Sequence, residues 1–379
     1  MATYDDTSFS APLLEVLPAG EYDEMVGQHV DDNPANDRPR SFQKVTPAAA
    51  LEAALSVGGG LAIALLFRTV LHWQGLMSTF VFAYVATLAL GTILLRSMYG
   101  SLAAGDRVMT VLIWSVGLLA CCLLAWLLGF VLVKGINKLS WTFFVEDLGK
   151  TSALNKGGGM RHAIIGTVEQ VGMATIASVP IAVMTAVYLN EVKGRLAPIV
   201  RFIVDAMSGL PSVVAGLLVY AVWILSLGNG FSGFACSLSL LILMLPTVTR
   251  TAEEILRTVP GHLREASLAL GATRWRTVSR VVLPTARSGL LTAVILGIAR
   301  AAGETAPAAL TAFGSSTTNV NPFSEPQANL PLTVYQLIRS GNKQQLERAY
   351  AGACVLILLV LVAFTMARII SIRGEKARR

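Results

Sequence analysis

Two pairs of opposite charges interrupt apolar stretches of this chain. In "TAVILGIARAAGETAPAALTAFG" (292–314), Arg300 and Glu304 stand four residues apart among Ala, Leu, Ile and Val. Upstream, Arg250 and Glu253 repeat the pairing at i and i+3, at the end of another apolar run. On a helix both spacings put the two groups on one face. A guanidinium stays ionised and offers a planar fork of donors, so it can replace part of an oxyanion's hydration shell. A carboxylate beside it holds the arginine when no anion is present and keeps binding weak enough to reverse, as a conduit requires. It can also accept a hydrogen bond from hydrogen phosphate, which fully ionised sulfate cannot donate. The competing reading is a structural salt bridge between helices, and Arg250 alone also fits a charge at a helix end. Asp205 and Glu169 stand singly near helix ends, where capping or bundle packing explains them.

The elements that must position these charges lie in a membrane. The 379 residues are 54% hydrophobic and 14% charged; an ordinary soluble domain carries about 25% charged residues. Apolar segments at 48–71, 76–97, 108–133, 162–190, 199–226, 231–250, 286–313 and 349–371 each reach the length of about 20 residues that crosses a bilayer as helix. The fold class is therefore an all-α polytopic helix bundle of about eight transmembrane helices. An ion in hydrocarbon costs several kcal/mol or more, so Arg250, Glu253, Arg300 and Glu304 should face the bundle interior.

The net charge of +7 does not indicate nucleic acid, because the basic residues gather at the ends of apolar segments. Arg107, Arg201, Arg257, Arg264, Arg274, Arg280 and Arg373 all fall on one face of an eight-helix topology. By the positive-inside rule that face is cytoplasmic, as are both termini. Residues 1–46 are acidic, rich in proline and poor in apolar surface, which reads as a disordered tail. No basic leader precedes an apolar core there. Residues 47–107 form an additional helical hairpin, 108–372 the main transmembrane domain with a cytoplasmic loop at 251–285, and 373–379 a basic tail. The four cysteines and four histidines lack metal spacing, and no cofactor is implied. "GKTS" at 149–152 is no phosphate loop, since Phe144 occupies the place of the required first glycine.

One cytoplasmic stretch is more specific. In "REASLALGATRWRTVSRVVLP" (264–284), Glu265–Ala266 is followed by Gly271 and then by Val281 and Leu283–Pro284. It reads as helix, glycine turn, helix, with Gly271 ending the first helix free of a Cβ penalty. The spacing resembles the "EAA…G…I-x-L-P" loop of ABC importer permeases, with Ser267 where a second alanine is common. "RAAGETAP" (300–307), "DAMSGLPSVVAGL" (205–217) and "PTVTRTAEEILRTVP" (246–260) resemble the phosphate-specific, PstA-type branch of that family. The resemblance covers about residues 108–372 and leaves the tail and first two helices aside.

It implies a six-helix MetI-like core in a bacterial inner membrane. Glu265, Ala266 and Gly271 become mechanical contacts of a coupling helix docked on a separate ATPase. It further implies a PstC-type second permease, a PstB-type ATPase dimer, an extracytoplasmic phosphate-binding protein and surrounding membrane lipid. The chain would then do no covalent chemistry, ATP being hydrolysed by its partner. Rival readings are a permease for molybdate or sulfate, a membrane enzyme acting on phosphorylated lipid, and a structural scaffold. The enzyme reading lacks an acidic cluster beyond Glu253–Glu254. A scaffold should tolerate loss of both intramembrane arginines.

Overall fold

The computed structural model describes residues 47–70, 75–149, 157–192 and 194–376. The acidic tail inferred for 1–46 lies outside these residues, as do 377–379. The regular elements among the described residues are helices, apart from one isolated β-bridge between Phe313 and Gln327. Two compact units divide at Leu119 and Ala120, within a single long helix.

The first unit contains α1 (Pro47–Val70), α2 (Leu76–Tyr99) and the first half of α3 (Ser101–Ile136). The triple glycine of α1 lets α2 approach closely: a Cβ on Gly60 would lie 2.2 Å from the Thr87 hydroxyl. Small residues serve this purpose where lipid removes the hydrophobic drive between helices. Phe67 and Phe82 then meet at 4.9 Å, and the Tyr84 hydroxyl hydrogen-bonds to Ser115 at 2.6 Å.

In the second unit the principal elements are α4 (Trp141–Val145), α5 (Arg161–Val187, extended by a π-turn Tyr188–Val192), α6 (Ala197–Ser208), α7 (Ser212–Val219, running on as π-turns to Ser226) and α8 (Gly233–Arg257). There follow α9 (Gly261–Ala269), α10 (Arg274–Thr277), α11 (Leu283–Ala302), α12 (Ala306–Thr311), α13 (Leu330–Arg339) and α14 (Lys343–Lys376). Helix α8 is the axis: 61% of its apolar window is buried, against 0% for α3, whose Trp114, Leu118 and Trp126 all face outward. Helices α5 and α11 pack on α8 through Val171, Ala174, Leu240, Met244, Val248 and Ala301. Gly297 brings α11 so close that a Cβ there would lie 2.6 Å from a Val248 methyl. Cys236 belongs to this packed interior and Cys354 is buried on α14, whereas Cys121 and Cys122 are exposed on α3.

Among the described residues six helices are long and apolar enough to cross a membrane, a bent pair makes seven, and Ala54–Val70 in α1 is a shorter apolar helix. Two of the expected spans are not single helices. The segment 199–226 folds as α6 and α7, bent by 104°. Pro211 lacks an N–H and forces its predecessor out of the helical region, so Gly209-Leu210-Pro211 makes the corner. The segment 286–313 breaks after Ala302, and Glu304 is therefore not on one helix with Arg300. Pro307 explains this break, since its ring would clash with the carbonyl of Gly303 in a continued helix. The two broken elements meet: a Cβ on Gly216 of α7 would lie 3.1 Å from the Pro307 Cα of α12.

Candidate functional site

The charges collect along one stripe of α8. Thr247, Arg250, Glu253 and Arg257 recur at helical spacing on the side facing α6 and the end of α11. Helix α6 is amphipathic, with Ile199, Phe202 and Ile203 exposed and the polar pair Arg201 and Asp205 turned to α8. Glu253 is 1% exposed and accepts from Arg201 at 2.7 Å and Arg257 at 2.6 Å. Arg250 pairs with Asp205 and places its other nitrogen 3.6 Å from the second Glu253 oxygen. A single buried carboxylate thus gathers three guanidinium groups, with a second carboxylate at the edge.

Arg300 is held differently. Its Nη1 donates to the Thr247 hydroxyl at 3.1 Å, and its Nε lies 3.9 Å from Glu304, beyond hydrogen-bond range. The side chain is 45% exposed while Glu304, in the break after α11, is 19% exposed. Thr247 is one helical turn from Arg250, so α8 brings Arg250, Glu253 and Arg300 into one charged strip. Glu304 stands at its edge. Arg201, Asp205, Arg257 and Thr247 belong to the strip as well, although sequence reasoning gave Asp205 a capping role and Arg201 and Arg257 a topological one. Their spacing was the available signal, with Arg201 and Asp205 at i and i+4, and Glu253 and Arg257 likewise. Glu169 also has a partner, accepting from the Gln327 amide.

Glu265, Ala266 and Gly271 lie apart from this strip, on a hairpin. Helix α9 ends at Gly271, whose φ of +78° is the left-handed conformation that favours glycine. Thr273 then caps α10, its hydroxyl accepting from the Arg276 amide at 3.4 Å. Glu265, Ala266, Leu268, Leu270 and Trp275 are all exposed, so the hairpin presents an apolar face with one carboxylate. From Arg274 the chain continues without a break through α11 to Ala302, one helical rod from the hairpin to Arg300. Among the described residues no three His, Cys, Asp or Glu side chains are placed to hold a metal ion.

Three relatives align with about two thirds of this chain. The phosphate transport system permease protein PstA 1 of Mycobacterium tuberculosis H37Rv is 38% identical over 260 residues, covering 68% of this chain and 84% of its own. The PstA proteins of Pasteurella multocida and Yersinia pestis are 37% and 36% identical, covering 65% and 70% of this chain and 87% and 89% of theirs. The methionine ABC transporter MetNI, solved facing inward, overlays 57% of this chain and 95% of its own at a TM-score of 0.48 and 20% identity. The sequence model of the binding-protein-dependent transport system inner membrane component family matches residues 178–373. This chain belongs to that family. It is a multi-span membrane component of a transport system.

Proposed function

We propose that the chain is the permease subunit of an ATP-driven importer of inorganic phosphate, forming half of the translocation pathway. Relatives named as phosphate transport permeases, aligned over about two thirds of this chain, support the substrate. Its partners are a PstC-type permease, a PstB-type ATPase dimer and an extracytoplasmic phosphate-binding protein. It lies in the bacterial inner membrane with both termini in the cytoplasm.

The observation that carries the reading is the half-exposed Arg300 guanidinium, at the end of the rod that starts in the exposed hairpin. ATP binding closes the ATPase dimer, and the hairpin, docked through Glu265, Ala266 and the turn at Gly271, moves with it. The rod carries that movement to Arg300. Its neighbour Arg250 then shares the anion with it, each fork replacing part of the hydration shell. The carboxylates Asp205 and Glu304 compete with the anion for these forks and so promote release.

Purification from native membrane in mild detergent should bring an ATPase and a second permease with the chain. Reconstituted with them, it should take up phosphate only with ATP, and excess sulfate or molybdate should compete poorly. Equal competition by sulfate or molybdate would move the substrate assignment to another oxyanion. Activity of the isolated chain on phosphorylated lipid would overturn the transport reading itself.

A further inference from the structure

The hairpin is joined covalently to the end of α8 through residues 258–260 and to α11 through the rod Arg274–Ala302. Its polar link to α5 runs through a single side chain. Helix α9 buries none of its own residues, and a cavity of about 880 Å³ lies where Leu268, Arg274 and Trp275 of the hairpin face Val187 and Asn190 at the end of α5. Apart from half-buried Leu263, which packs against the cluster of Ala186, Leu256, Val259 and Val282, apolar contacts do not hold α9.

Arg264 crosses the gap. Its Nε lies 3.1 and 3.2 Å from the two carboxylate oxygens of Glu191, and its Nη2 donates to one of them at 2.8 Å. Its remaining donors reach the carbonyls of Leu256 at 2.9 Å and Val259 at 2.6 Å, where α8 ends. The pair is largely shielded, Arg264 being 22% and Glu191 11% exposed. A forked guanidinium on a carboxylate resists both shear and rotation, as a point contact by lysine does not.

Helix α5 runs from this anchor to the opposite end of the bundle, through Pro180 and without a bend that divides it. There it grips the segment before α13. The Thr167 hydroxyl accepts from the Leu330 amide at 2.7 Å. The Gln170 amide donates to the Gln327 side chain at 3.1 Å and accepts from Asn329 at 3.2 Å. Gly166 passes so close that a Cβ would lie 2.0 Å from the Ala328 carbonyl. At 1.5 Å per residue, the helix from Gln170 to Glu191 spans about 30 Å.

We propose that the Arg264–Glu191 pair is a strut that makes α5 a second lever, carrying hairpin movement to the segment 327–330 at the far end. Arg264 touches no substrate and is a positioning residue. The inference rests on the hairpin being the coupling element. The strut predicts that its loss uncouples: ATP is still hydrolysed, but hairpin movement no longer reaches the far end.

The test uses the complete transporter in proteoliposomes, comparing wild type, Glu191→Gln, Arg264→Gln and the exchange Glu191→Arg with Arg264→Glu. ATP hydrolysis should remain within about twofold, whereas phosphate carried per ATP should fall at least about tenfold in each single variant. The exchange should recover a substantial part of it. An unchanged transport-to-hydrolysis ratio in the single variants overturns the strut. A wild-type complex that moves no phosphate would instead overturn the function proposed above. Spin labels at His262→Cys and Val192→Cys, with Cys121 and Cys122 replaced by Ser, supply a second readout on the solubilised complex. Their distance distribution should be narrow with Arg264 present and broad in Arg264→Gln. A distribution as narrow in the variant contradicts the strut even where transport has failed.

Discussion

Glu253 of α8 and Arg300 of α11 share one charged strip, Arg300 bonding to Thr247 less than two helical turns from Glu253 along α8, yet their surroundings differ. Glu253 is 1% exposed and bonded to Arg201 and Arg257, with Arg250 beside it. Arg300 is 45% exposed, with one hydroxyl bond and a carboxylate 3.9 Å away. A buried charge with several partners is a clamp, because removing it leaves its partners uncompensated. An open guanidinium with weak partners can change partner at small cost, and that is what a passing anion needs. The sequence motif pairs Arg250 with Glu253 and Arg300 with Glu304 as if they were equivalent; their surroundings differ, and the proposed function gives them different work.

The largest effect is therefore expected at Glu253. Glu253→Ala should destabilise the folded chain by about 2 kcal/mol, through the loss of two charge-assisted hydrogen bonds whose arginines are themselves half-exposed. Thermal unfolding in detergent, followed by loss of the monodisperse peak, measures this. A variant as stable as wild type would break the contrast with Arg300. Next, Arg300→Gln should reduce phosphate uptake by about tenfold or more, equivalent to about 1.4 kcal/mol. It should leave unfolding within about 0.5 kcal/mol of wild type, as is usual for exposed sites. If stability and uptake fell together, Arg300 too would be structural.

Asp205→Asn sharpens the comparison in between. It frees Arg250 from its half-exposed partner, a pair worth about 1 kcal/mol or less. Apparent phosphate affinity should rise by about threefold while turnover falls, as read from initial uptake rates over a range of phosphate concentrations. The smallest effect belongs to Glu304→Gln. With no hydrogen bond to Arg300, it should alter uptake by less than about threefold. The preference for phosphate over sulfate should nevertheless decline in competition assays. An unchanged preference removes Glu304 from discrimination.

Much of this architecture is readable before any coordinate. Apolar lengths reveal the membrane class, and Gly271 marks the hairpin turn because its backbone requires a positive φ. Residues 199–226 and 286–313 were less transparent, since unbroken apolar composition suits one straight span or two short helices equally well. Gly209-Leu210-Pro211 and Gly303 with Pro307 were the local signals of their breaks. What makes those breaks stable is tertiary, the packing of α12 against α7 at Gly216. Charge partners across helices were less legible still. Arg201 reaches Glu253 over 52 residues of sequence, and Arg264 reaches Glu191 over 73. Only the fold brings such residues together, so Asp205 looked solitary and Arg264 looked like one more basic residue of the loop.

The most direct measurement is ATP-driven phosphate uptake by the whole transporter carrying Arg250→Gln and Arg300→Gln together, assembled and folded as judged by its unchanged thermal profile. Uptake reduced by about a hundredfold or more, with ATP hydrolysis retained, is the result expected if the two guanidinium groups stand in for water around the crossing anion. Uptake at the wild-type rate would contradict it.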